Sequence, residues 1–137
     1  MSDIEQLYNE VMAQGIMLFN YAAAGTPATA VQNLYGSAIF VNERLVRTTA
    51  EEKYAVAHEA GHIATGSMHP VGSPWEVIAQ DEYRADKYAV RRLLPLEHLL
   101  EALRDGDVEP WQLAERFNQT EAFVRRAIYI YRCEGKI

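Results

Sequence analysis

The run EEKYAVAHEAGHIATG, residues 51–66, carries two of the chain's four histidines, His58 and His62, with Glu59 beside the first. Positions i and i+4 of an α-helix lie on one face, so a helical reading of this run points both imidazoles the same way. The helical reading has its own support. Thr49 to Glu52, TAEE, has the form of a capping box, in which a threonine hydroxyl and a glutamate three residues on satisfy each other's backbone amides. The helix is expected to run through Thr65 and to stop near Gly66. Gly61 lies inside it, where glycine costs about 1 kcal/mol relative to alanine. A glycine between the two histidines points to the close approach of another backbone or helix; tolerated packing is the plainer alternative.

Two histidines four apart with a glutamate after the first form the HExxH pattern: two metal ligands and a general base on one rigid element. The plain alternative is a solvated helix with two histidines on one face. A catalytic zinc needs a third protein ligand, and the downstream candidates are His69, Asp81, Glu82, Asp86, Glu97 and His98. Glu82 and Asp86 share a helical face, with the small Ala85 beside them to let two helices pack closely. Glu82 is assigned as the third ligand. Asp86 is assigned as the acceptor for the N–H of a ligating histidine, fixing its tautomer. Otherwise DEYRADK, residues 81–87, is a solvated face of local ion pairs. His69 falls in a Gly-, Ser- and Pro-containing loop, exposed or able to aid an oxyanion. With Zn²⁺ on His58, His62 and Glu82, Glu59 would take a proton from the attacking water.

Working outward, SDIEQLYNEVMAQ reads as an opening helix, GIMLFNYA as a strand and GTPAT as a turn. AVQNLYG and SAIFVN read as two further strands with a tight turn at Gly36-Ser37. Ser73 to Glu76, SPWE, suits a second capping box with Pro74 at the first helical position. It opens a helix that ends at Pro95. PLEHLLEALRDG makes a short helix ending at Gly106, and the tail makes two helices with a break around residues 118–120. The expected architecture is α+β: a helix, a small three-stranded sheet, the helix with the histidines, then helices only, ending in a helical hairpin over about 107–137.

A length of 137 residues fits a single domain with one core. The net charge of −6 makes the chain a poor general ligand for nucleic acid. Its only cysteine, Cys133, rules out a disulfide framework within the chain. MSDIEQLYNE is polar and acidic, unlike a secretory signal. The most apolar stretch, GIMLFNYAAAG, is too short to span a bilayer. A cytoplasmic location without membrane contact is expected.

HEAGH followed by EYRADKYAVRRLLP, residues 82–95, resembles the ImmA/IrrE family of metallopeptidases. The pattern is HExGH, then E-x-x-A-(N/D)-x-(F/Y)-A and a hydrophobic stretch ending in proline. It is matched at His58, Glu59, Gly61, His62, Glu82, Ala85, Asp86, Tyr88, Ala89 and Pro95. AIFVNERL upstream is also similar. Ala60, Asp86 and Arg92 stand where the family more often has Leu, Asn and an aliphatic residue. The resemblance implies a zincin-like fold and a zinc-dependent endopeptidase, often encoded by phages and mobile elements. The implied partner is a helix-turn-helix repressor that is cleaved or inactivated. The alternative is a zinc-containing regulator that binds a repressor or DNA without efficient proteolysis.

The tail WQLAERFNQTEAFVRRAIYIY also has the outline of a helix-turn-helix, with Arg125 and Arg126 on its second helix. The reading preferred over DNA binding is an αα-hairpin that packs Leu113, Phe117, Phe123 and Ile128 on the core. Its flanks are acidic, and DNA affinity comes mainly from Lys and Arg on phosphates.

Overall fold

A computed structural model describes residues 1–22 and 25–137; Ala23 and Ala24, at the end of the apolar stretch 15–25, lie outside the described residues. The expected α+β order is present. Helix α1 (Asp3–Ala13) precedes strands β1 (Ile16–Asn20), β2 (Ala28–Asn33) and β3 (Gly36–Val41). Helices α2 (Thr49–Thr65), α3 (Trp75–Leu93), α4 (Leu96–Arg104), α5 (Pro110–Phe117) and α6 (Glu121–Cys133) follow. No helix among the described residues is long and apolar enough to cross a membrane.

The sheet has the order β1-β3-β2. β1 runs parallel to β3, with Leu18 opposite Ile39, and β2 is antiparallel to β3, with Ala30 opposite Ile39. The tight turn lies two residues earlier than expected. Asn33 pairs with Gly36, so Leu34 and Tyr35 form the turn, and the Tyr35 amide donates to Asn33 Oδ1 at 2.7 Å. Gly36 has a φ of 138°, a conformation glycine adopts without strain, and so it begins β3. This topology leaves β2 at an edge of the sheet.

The capping expectations need two corrections. The N-cap of α2 is Thr48, one residue before the expected Thr49; its hydroxyl accepts from the Glu51 amide at 3.1 Å. Both registers satisfy the T-x-x-E pattern. Glu52, the partner expected for Thr49, instead accepts from the Tyr8 hydroxyl at 2.7 Å, which ties α2 to α1. At α3, Pro74 occupies the cap position and no side chain caps the helix. The SPWE box does not form, and the Ser73 hydroxyl donates to the Pro70 carbonyl at 2.7 Å.

Two apolar clusters flank the α2–α3 pair. One joins α1, the sheet and α2 through Leu7, Val11, Ile39, Val41 and Val56. The other joins α3 to the last three helices through Val90, Leu94, Leu99, Leu113, Phe123 and Ile130. Of the hairpin residues expected in the core, Leu113 and Phe123 are buried, while Phe117 and Ile128 pack against it partly buried. Arg92 forms a two-pronged ion pair with Glu10 of α1. α2 and α3 are thus held from both sides, and the candidate site is built where they touch.

Candidate metal centre

α2 and α3 cross closely because two residues are small. A β-carbon built on Gly61 would stand 2.8 Å from the Ala85 carbonyl oxygen, and Ala85 is fully buried. The close approach that Gly61 signals in the sequence is therefore an approach of α3. One turn before Ala85 lies Glu82, and it reaches both histidines of α2. Glu82 Oε2 is 2.7 Å from His58 Nε2, and its Oε1 is 3.1 Å from His62 Nε2. One ligand atom from each of the three residues lies within 4.8 Å of the others, in an arrangement that could hold a metal ion.

The other nitrogen of each ring is engaged from behind. His62 Nδ1 is 3.0 Å from the Ser67 carbonyl. The end of α2 sets this contact: Gly66 has a φ of 65°, and the Ser67 amide donates back to the His62 carbonyl at 3.0 Å. His58 Nδ1 is 2.8 Å from Asp86 Oδ1. Asp86 also accepts from the Tyr54 hydroxyl on Oδ1 at 2.5 Å and from Arg126 Nε on Oδ2 at 2.9 Å. Burial works against its charge, but the bonds from His58, Tyr54 and Arg126 prevail and lower its pKa below the ordinary carboxylate value.

These contacts decide which ring atoms carry hydrogen. The Ser67 carbonyl can only accept, and so can the ionised Asp86. Each Nδ1 is therefore a donor, and in a neutral imidazole each Nε2 is a lone pair. Both lone pairs face the Glu82 carboxylate, which is also an acceptor. Acceptors converging at 2.7 and 3.1 Å require a proton or a cation between them. Ligands at about 2.0–2.2 Å from a tetrahedral zinc stand roughly 3.3 Å apart. Two imidazole nitrogens and a carboxylate within 4.8 Å of one another are donors of the kind such an ion takes, so the donor set fits it by chemistry.

Glu59 is not among the converging atoms. Its Oε2 accepts from the Ala30 amide of β2 at 2.9 Å. Burial raises its pKa above the ordinary value, against the opposing effects of His58, His62 and that amide. Of the remaining third-ligand candidates, Glu97 and His98 are exposed on α4. Asp81 is buried, with its Oδ2 3.4 Å from His69 Nδ1. That separation lacks hydrogen-bond geometry, so His69 Nδ1 has no such partner among the described residues. The His69 ring stands 6.3 Å from that of His62, between centroids.

The cluster opens into a cleft of about 960 Å³. Residues 26–30 form one wall, and Thr120, Phe123 and Arg126 of the C-terminal hairpin contribute to another. Sequence reasoning missed Tyr54 and Ser67, and it treated Arg126 only as a possible DNA contact. Tyr54 had a signal, one turn before His58 on the same face. Arg126 had none, being forty positions beyond Asp86.

No protein-family model matches the chain, and no curated protein or solved structure does.

Proposed function

We propose that the chain is a zinc-dependent endopeptidase, with His58, His62 and Glu82 as metal ligands and Glu59 as the general base. The observation that carries this reading is the convergence of three acceptor atoms from two helices, each imidazole backed by an acceptor on its other nitrogen. Such backing is the usual support of ligating histidines. A divalent ion bound there supplies Lewis acidity, polarising a peptide carbonyl and acidifying water.

The chain's own residues supply the rest. Glu59 takes a proton from the water that attacks the carbonyl carbon. It then delivers that proton to the amine as the C–N bond breaks. β2 lies beside Glu59, and its outer edge lines the cleft. An extended substrate segment would pair with that edge through its backbone. The proposed substrate is a helix-turn-helix repressor in the cytoplasm, carried over from the resemblance of HEAGH and EYRADKYAVRRLLP to the ImmA/IrrE pattern.

The test is Glu59→Gln. The amide cannot take the proton, and the three ligands are untouched. Zinc should remain at about one ion per chain by elemental analysis, while cleavage of a co-expressed repressor falls on the order of 10²–10⁴-fold. His58→Ala, His62→Ala and Glu82→Ala should each lose zinc. A Glu59→Gln protein that still relieves repression without cutting would make sequestration, and not proteolysis, the biological activity.

A further inference from the structure

We infer that Arg126 is a positioning residue for the metal centre, so that the C-terminal hairpin is a working part of the site. The inference rests on the reading of His58 as a metal ligand. A ligating imidazole is useful only if its ring plane and tautomer are fixed, and His58 takes both from Asp86 at 2.8 Å. An aspartate carboxylate turns easily about its last torsion. Two of its three side-chain donors, Tyr54 and His58, share Oδ1 and leave the carboxylate free to pivot on that oxygen. Arg126 holds Oδ2 at 2.9 Å and removes the pivot.

Arg126 is itself held. Its guanidinium lies 5.5 Å from the Tyr83 ring centroid and 5.3 Å from that of Tyr129. One turn earlier on α6, Phe123 packs edge-on against Tyr54, with ring centroids 5.5 Å apart. α6 therefore supports Asp86 twice, directly through Arg126 and through the ring of Tyr54. Its neighbour Arg125 is exposed and serves as a control.

The experiment is a zinc titration of the purified full chain against a chromophoric chelator, with unfolding of the chelator-treated protein measured in parallel. Arg126→Ala should weaken zinc by up to about tenfold, the lower end of the loss expected for Asp86 itself, because Arg126 acts on His58 only through Asp86. Arg126→Lys keeps the charge without the planar fork and should recover part of the affinity. Arg125→Ala should bind as wild type does. A purely structural role would lower the unfolding temperature of the chelator-treated protein and leave zinc affinity unchanged; that result overturns the inference. If Arg126→Ala does not fold, Arg126→Lys decides: wild-type affinity overturns the inference, and weakened affinity upholds it. A wild-type chain that takes up no zinc sinks the metal reading and this inference together, whereas zinc bound equally by wild type and variants sinks this inference alone.

Discussion

Gly61 of α2 and Ala85 of α3 meet backbone to backbone, with no room for a β-carbon between them: one would stand 2.8 Å from the Ala85 oxygen. Backbone cannot swing aside as a long side chain can. Gly61→Ala should gain about 0.5–1 kcal/mol of helix propensity and lose about 1–3 kcal/mol to overpacking. The expected net loss is on the order of 1 kcal/mol, read by urea unfolding in chelator. Zinc affinity should fall too, because pushing the helices apart moves Glu82 from His58 and His62. A variant as stable as wild type, with unchanged affinity, would contradict this account of the glycine.

The pair His58–Asp86 should give the chelator-treated protein a characteristic pH response. Burial opposes charge on His58, but Asp86, Glu82 and Glu59 outweigh it and raise its pKa above the ordinary value. A raised folded pKa stabilises fully below the unfolded value, about 6.5, and that contribution is lost as pH rises through the folded value. Asp86 behaves oppositely: its lowered pKa stabilises above about 3.9 and the contribution is lost as pH falls through the folded value. The unfolding temperature in chelator should therefore drop as pH rises above about 6.5, and more in wild type than in His58→Gln. With zinc present the trend should invert, because ligating nitrogens must be free of protons. Parallel curves for wild type and His58→Gln in chelator would contradict it.

The hairpin should not bind DNA specifically at about 0.15 M salt. Arg126 is committed to Asp86, and Arg116 to Asp105 and Asp107 at 3.0 Å each. Arg125, Arg132 and Lys136 remain there for phosphates, among acidic neighbours Glu121 and Glu134. A sequence-specific gel shift lost in Arg125→Ala plus Arg126→Ala would reverse this conclusion and favour a transcriptional regulator.

Local patterns were readable in the sequence where chemistry acts over a few residues. The spacing of His58 and His62 on one helical face is such a pattern, and so are the glycine stop at Gly66 and the break before Glu121. The failures come from competition between near-equal local choices. Thr48 and Thr49 both precede a suitably placed glutamate, and a hydroxyl from α1, on Tyr8, draws Glu52 away. Ser73 could cap α3, but the helix begins one residue later with Pro74 at the cap, and the Ser73 hydroxyl donates to the Pro70 carbonyl. Glu82 and Asp86 could be ordered by their different reach to α2. The third donor on Asp86, Arg126, depends on how the last helix returns to the site, which no local spacing encodes.

The edge position of β2 bears on how the protein behaves in the test tube. An open strand edge is a template for pairing with another chain, and proteins commonly obstruct such edges. Here the Ala30 amide is spent on Glu59 and the Ala28 carbonyl accepts from the Thr26 hydroxyl at 3.1 Å. The carboxylate assigned to proton transfer thus also occupies one backbone donor of that edge, which a pairing substrate segment would have to take from it. Glu59→Gln keeps an oxygen for the Ala30 amide and leaves that donor occupied. Glu59→Ala frees it and should shorten the shelf life of concentrated protein, confounding inactivity with precipitation.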